Sequence, residues 1–296
     1  MNNFTKNDKA LIGHHLNTKW GFATCPQYAD EIGANFFQIF LNSPHQYNAK
    51  RKSEEELKQF KIKVSEFDMK FVVHANYMLN FCNPCDTYKH QQAVKLLVAD
   101  LNESVICGAI GVVIHMGKSL KLSNVDALSN YVKGVKKALK DSDNNSTIIL
   151  ETGAGQGTEI CTSIDQLGKL YKKFTKIERK RLRICIDTCH VFAAGYDLTN
   201  KKSVDEFCEL VNSELGWNNV ACIHLNDSIC PLNSKKDRHA DIGKGCIGED
   251  GLKCFVIQCA DKNIPIVLET PCKDGFKRVD QIKLVRSWLN TKLEKT

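Results

Sequence analysis

Eight short apolar runs, separated by longer amphipathic segments, punctuate this chain from end to end. The runs are Ala10–His14, Phe36–Leu41, Phe71–His74, Gly111–His115, Thr147–Glu151, Leu182–Asp187, Val220–His224 and Ile264–Glu269. The spacing predicts helices over Pro26–Ile32, Ser53–Phe67, Thr87–Cys107, Val125–Lys140, Ser163–Phe174, Ser203–Leu215, Leu252–Ala260 and Arg278–Leu289. Short runs alternating with segments of helical period are the pattern of repeated βα units around a parallel sheet. Strict alternation, with no Pro/Ser-rich linker and no low-complexity tract, predicts one α/β domain over residues 1–296, a single (β/α)8 TIM barrel. A doubly wound open sheet is the competing arrangement. The barrel makes the sharper prediction, because its active sites lie at the C-terminal face of the strands.

The length of 296 residues suits such a barrel, which typically needs about 250. A hydrophobic fraction of 43% and a charged fraction of 25% exclude a disordered or collagen-like chain. No window approaches the roughly 18 apolar residues of a membrane span. The opening MNNFTKNDKA also lacks the apolar stretch of a secretory signal. The expectation is an intracellular protein without membrane contact, with cytoplasm, nucleus and virion all open. The net charge of +7 permits a polyanionic partner without demanding one. Fourteen cysteines spread over such a length, many inside apolar runs as Cys107, Cys185, Cys222 and Cys259 are, read as reduced core residues. Cys82 and Cys85 form the one Cys-x-x-Cys, with no second pair at zinc-ribbon spacing.

From the third run onward, each run ends on a side chain able to ligate a metal: His74, His115, Glu151, Asp187, His224 and Glu269. They recur every 36 to 45 residues, about one βα unit apart. A lone strand-end His is usually a hydrogen-bonded core residue and a lone Asp a helix cap. Six in register point instead to a shared metal site. Imidazoles and carboxylates suit zinc, and a bridging carboxylate lets six ligands hold a pair of ions about 3.5–4 Å apart, the clamp used on phosphodiesters. His190 lies three residues past Asp187, in what reads as the loop after the sixth strand, and Asp237 and His239 form an Asp-x-His pair after the seventh. Neighbouring loops of a barrel meet, so His190, Asp237 and His239 can form a separate open site of the catalytic-zinc kind. Taken alone, Asp237 and His239 would read as a polar, solvated loop.

The strings ICIDTCHVFAAGYDL (184–198), IHLNDS (223–228), DRHADIGKGCIG (237–248), LETGAGQGTEI (150–160) and IVLET (266–270) resemble endonuclease IV, the zinc-dependent apurinic/apyrimidinic endonuclease family. The resemblance runs from Leu11 to Thr270. It implies three Zn2+ per chain. One would sit on His74, His115 and a bridging Glu151, a second on Glu151, Asp187, His224 and Glu269, and a third on His190, Asp237 and His239. Glu151 and Glu269 would be the catalytic carboxylates.

The activity implied is hydrolysis of the phosphodiester 5′ to an abasic site in duplex DNA, leaving a 3′-hydroxyl and a 5′-deoxyribose phosphate, by a monomeric repair enzyme. Exonuclease and 3′-end-cleaning activities could accompany it. Tyr77 matches a position that the family presses into the lesion. The chain departs from the family at His45 and Tyr47, where an Arg and an aromatic are common, and at Ile229 and Asn233, in place of Lys and Gly. Lys118, Lys121, Lys235, Lys236, Arg238 and Lys244 follow strands and are candidate phosphate contacts. The densest basic run, Lys172 to Arg183, precedes the sixth strand and reads as solvated surface on the opposite face. GAGQG at 153–157 lacks the Lys-Ser/Thr of a nucleotide loop and reads as a turn near the metals. A metal-dependent sugar isomerase on a similar barrel, which has no need of the His190 site, and an inactive binding protein are the competing functions.

Overall fold

A computed structural model describes residues 10–47, 50–273 and 275–293. Eight parallel strands close into a barrel: β1 (Ile12–His15), β2 (Phe36–Ile39), β3 (Lys70–His74), β4 (Val112–Ile114), β5 (Ile148–Glu151), β6 (Leu182–Asp187), β7 (Val220–His224) and, after a two-strand hairpin, β10 (Ile266–Leu268). The hairpin pairs β8 (Asp227–Ser228) with β9 (His239–Ala240), antiparallel. β1 closes the barrel between β10 and β2. The open-sheet alternative is excluded.

Eight of the nine α-helices among the described residues form the outer layer: α1 (Cys25–Glu31), α2 (Glu54–Glu66), α3 (Tyr88–Cys107), α4 (Asn124–Asp141), α5 (Ile164–Tyr171), α7 (Lys201–Glu214), α8 (Glu249–Ala260) and α9 (Arg278–Leu293). Their starts follow side-chain chemistry. Ser53 and Glu56 form a reciprocal capping box on α2, and Ser123 and Asn200 cap α4 and α7. The ninth, α6 (Thr188–Ala194), follows β6 directly, so His190 lies on a helix and not in a loop. Asp187 caps it, accepting from His190 N at 2.9 Å. No helix among the described residues is long and apolar enough to cross a membrane.

The basic run before β6 is not uniformly solvated. Arg181 donates to Leu139 O at 2.7 Å, Ser146 O at 2.9 Å and Asp143 O at 2.6 Å, tying the end of α4 to the turn before β5. A planar fork with five donors can satisfy several orphan carbonyls at once, which a residue count of charge does not reveal.

Inside the barrel, Phe36, Val72, Val113, Ile149, Cys185, Cys222 and Val267 form a separate, fully buried ring. At the same level β1 carries Gly13, where any Cβ would fall 1.4 Å from Phe36 O. Side chains two residues apart share a strand face. Two residues beyond this apolar ring, the eight strands therefore present His15, Gln38, His74, His115, Glu151, Asp187, His224 and Glu269.

Candidate metal centre

That second ring is the floor of a well at the C-terminal face. Glu151 lies at its centre, 1% exposed, and turns its two oxygens in different directions. Its Oε2 is 3.5 Å from His74 Nε2 and 3.4 Å from His115 Nε2, while Oε1 is 2.9 Å from His224 Nδ1. His224 Nδ1 is also 3.2 Å from Glu269 Oε2. Ligand atoms of His74, His115 and Glu151 lie within 4.8 Å of one another, as do those of Glu151, Asp187, His224 and Glu269. A third group assembles from α6 and the β8–β9 hairpin. Asp237 places one oxygen 3.2 Å from His190 Nε2 and the other 3.2 Å from His239 Nε2. His239 Nε2 also approaches Asp187 Oδ2 at 3.6 Å, so Asp187 stands between this group and the second. Asp237 and His239 thus belong to an ordered hairpin that folds over the well.

The donor set fits metal ions by the test of unmet bonding. Glu151 Oε2, His190 Nε2 and His239 Nε2 are buried with no hydrogen-bond partner, a state that ordinary interiors avoid. Each ring is oriented through its other nitrogen. His74 Nδ1 donates to Ala75 O at 2.8 Å and His190 Nδ1 to Thr152 O at 2.8 Å, and His239 Nδ1 lies 3.3 Å from Glu269 O. The remaining nitrogens of His74, His190 and His239 face into the well, where each can coordinate a cation that displaces a proton, the arrangement that metal-binding imidazoles adopt.

Charge in the well is arranged accordingly. Burial opposes ionisation of Glu151, yet the imidazoles of His115 and His224 hold it well below the usual carboxylate range. Glu269 is likewise held down, against burial, by His224 and by the His15 ring, whose Nδ1 lies 3.6 Å from its Oε1. Burial dominates at Asp187, which is raised, and at His115, which is pushed down to about 4. Burial also disfavours charge on His224 and His239. The carboxylates Glu269 and Glu151 nevertheless raise His224 to about 10, and Asp187 and Asp237 raise His239 to about 9. Several carboxylates gathered in one well, with Glu151 and Asp187 buried at its floor, draw positive charge, the demand a divalent cation meets.

Two polar groups at the well carry no signal in the strand-end pattern. Gln38 is fully buried. Its Oε1 accepts from His224 Nε2 at 2.8 Å, and its Nε2 donates to Glu269 Oε1 at 2.6 Å and approaches His15 Nδ1 at 2.8 Å. Gln38 therefore fixes which nitrogen of His224 faces the carboxylates. Asn226, also fully buried, donates to Asp187 Oδ2 at 2.8 Å and accepts from Glu269 N at 2.9 Å. Alternation from Phe36 on β2 points to Gln38, but an amide is not a titratable residue and does not stand out at a strand end.

Comparison with known proteins bears on this assembly. A family model described as a xylose isomerase-like TIM barrel matches residues 26–292. A protein of Acanthamoeba polyphaga mimivirus named as an endonuclease 4 is 42% identical over 290 residues, covering 94% of this chain and 93% of its own. A protein of Thermosipho melanesiensis bearing that name is 35% identical, covering 95% of this chain and 99% of its own. The chain belongs to the endonuclease IV family. The crystal structure of endonuclease IV from Thermus thermophilus superimposes with a TM-score of 0.81 at 28% identity, over 95% of this chain and 99% of that one. A D-tagatose 3-epimerase-like protein has a TM-score of 0.71 at 16% identity, covering 96% of this chain and 98% of that one, a likeness of fold alone.

In this member of the endonuclease IV family, two loops rise together beside the well. Tyr77, half exposed, packs on Phe40 and His74 with ring centroids 5.1 Å away in each case, and on His115 at 5.6 Å. The exposed His45 lies against it at 5.6 Å, and the Tyr47 hydroxyl donates to Met78 O at 3.1 Å. Asn76 Nδ2 donates to Ser43 O at 3.0 Å and Gln46 O at 2.9 Å, joining the loop after β3 to the loop after β2. Farther along the latter, Arg51 pairs at 2.5 Å with Asp100 and at 2.5 Å with Glu103 of α3.

Tyr77 separates two cavities. The larger, about 600 Å³, is lined by Glu269, by His15 and by Lys50, Lys52 and Arg278, three cations not expected from sequence. The smaller, about 260 Å³, is lined by His115, His190, Asp237, Glu159 and Lys118. Of the other candidate phosphate contacts, Lys121, Lys236 and Lys244 are exposed. Lys235 Nζ donates to Ala194 O at 2.6 Å and Arg238 to Gln156 Oε1 at 3.3 Å, so these two also brace the loops around the well. The Gly153–Gly157 loop gives its amides at 155 and 156 to Glu159 Oε2, at 2.8 and 3.3 Å. It is a turn beside the well, closed by a carboxylate and not open to a phosphate.

Proposed function

We propose that the chain is a DNA repair endonuclease that hydrolyses the phosphodiester 5′ to an abasic site in duplex DNA. The observation that carries this reading is Glu151 turning one oxygen to His74 and His115 and the other to His224, in a chain 42% identical to a protein named as an endonuclease 4. Three Zn2+ would be held by His74, His115 and Glu151, by Glu151, Asp187, His224 and Glu269, and by His190, Asp237 and His239. Bound there, zinc supplies Lewis acidity, which makes water a nucleophile near neutral pH and offsets charge on phosphate oxygens.

The protein's own groups do the rest. Gln38 and Asn226 hold Glu269, His224 and Asp187 in fixed orientations, so the site needs no rearrangement as charge develops on the phosphate. Glu151, Asp187 and His224 are buried at the floor of the well, where charges are screened less than in water. An abasic sugar has no base to unstack, so it leaves the helix at low cost. Tyr77, His45 and Tyr47 fill the stack it vacates, on two loops cross-braced by Asn76. Lys118, Lys235, Lys236 and Arg238 meet phosphates around the well and supply sequence-independent affinity. A single copy of the chain carries every group this requires.

The test is a duplex with one synthetic abasic site, incubated with zinc-loaded protein. A single cut 5′ to the lesion, leaving a 3′-hydroxyl, with no cut in the undamaged duplex, is the expected result. An intact lesion duplex overturns the reading.

A further inference from the structure

The apolar ring beneath the metal centre is interrupted by two thiols. Strand alternation puts Cys185 and Asp187 on the inward face of β6, and Cys222 and His224 on the inward face of β7. Cys185 and Cys222 are register partners across these strands and both are fully buried. Their sulfurs and a ring nitrogen of His224 lie within 4.8 Å of one another. The other five members of the ring are Phe, Val and Ile. His224 therefore faces two donor sets of different chemistry, the carboxylates of Glu151, Asp187 and Glu269 on its own level and a sulfur pair one level down.

Carboxylates and imidazole suit zinc, whereas a thiolate pair, which also binds zinc, favours the softer Cd2+ over the oxygen donors above it. We propose that Cys185, Cys222 and His224 form a thiophilic cation site, one level below the three zinc groups and sharing His224 with one of them, that captures Cd2+. Capture forms two Cd–S bonds and breaks two S–H bonds, releasing two protons to solvent with no electron transfer. The two thiolate charges neutralise the ion where it is buried, which an apolar ring could not do. Because His224 is shared, an occupied lower site competes with the Glu151–Asp187–Glu269 set for that imidazole. Soft-metal exposure thus poisons the centre from below. The site follows from ligand geometry and holds whether or not the chain cuts DNA.

The experiment titrates the zinc-loaded full chain with cadmium chloride, read by sulfur-to-cadmium charge-transfer absorbance, proton release and X-ray absorption at the cadmium edge. The expected result is one cadmium with two sulfur neighbours and a nitrogen neighbour, about two protons released, and loss of the absorbance in a Cys185→Ser/Cys222→Ser variant that still melts cooperatively. Should the double substitution unfold the barrel, Cys222→Ala alone and the spectrum of the unmutated chain still decide. A cadmium spectrum with only oxygen and nitrogen neighbours overturns the proposal. So does a sulfur signal of undiminished size in a folded variant, which would place the ion at other cysteines.

Discussion

His74 Nε2 and His115 Nε2 stand 3.2 Å apart, both facing Glu151 Oε2. With the Nδ1 proton of His74 given to Ala75 O, its Nε2 presents a lone pair to the space the two rings share. Replacing His115 by Ala removes one of three donors there without touching the apolar ring below. Bound zinc should fall by about one ion per chain, and incision should drop by more than the ~10–100-fold seen when an outer partner is lost. Elemental analysis beside incision kinetics checks both; full zinc content with unchanged turnover would remove His115 from the ligand set.

Gln38 acts on the centre through His224 and Glu269. A Gln38→Leu protein keeps every ligand but loses the acceptor for His224 Nε2 and the donor to Glu269 Oε1. Zinc affinity should weaken by roughly 10–100-fold, and a chelator competition will show it as faster zinc release. Equal release rates in the variant and the parent would make Gln38 a packing residue only.

Acid stability should depend on His14. This ring is 1% exposed, with Nε2 3.2 Å from Thr270 Oγ1 and Arg278 Nε 3.3 Å from Nδ1. Burial pushes it down to about 3 from an ordinary value of 6.5, with Arg278 adding to the shift and the bond to His15 O opposing it. As pH falls from about 6.5 toward 3, the unfolded chain takes up a proton that the folded chain refuses. Stability is lost across that window, by about 2 kcal/mol at pH 5. Urea midpoints measured at pH 7 and pH 5 should therefore converge in His14→Asn relative to the parent; an equal drop in both proteins would contradict the burial argument.

The loop side chains should separate binding from chemistry. Tyr77→Ala removes the ring that packs on His74 and His115 but no ligand, so zinc content should hold while lesion incision falls. Lys236→Ala should weaken DNA binding evenly across sequences and flatten the slope of log affinity against log salt by about 1. A salt slope that does not change would take Lys236 out of contact with phosphate.

The barrel is legible in the sequence because each strand is short, apolar and followed by a helix of clear period, and the six candidate ligands that the well gathers are legible because they end strands at regular intervals. His15 and Gln38 escape that pattern for a physical reason. The first apolar run stops at His14, one residue short of the strand end, and the second continues through Gln38 to Leu41, so neither residue is marked as lying two places beyond the apolar ring. The hairpin bearing Asp237 and His239 is legible only as a motif, since its pairing depends on the fixed ends of β7 and β10. Arg181 reads as solvent-facing charge and Lys235 as a phosphate contact, and only the positions of carbonyls distant in sequence show that each also braces the backbone.

Eight inward side chains, one per strand, frame the well in which three ions are proposed to sit. Anomalous scattering at the zinc edge from crystals of the zinc-loaded chain tests this most directly. Three peaks are predicted: one among His74, His115 and Glu151, one among Glu151, Asp187, His224 and Glu269, and one among His190, Asp237 and His239. A well without peaks, or zinc only at sites elsewhere on the chain, would contradict it.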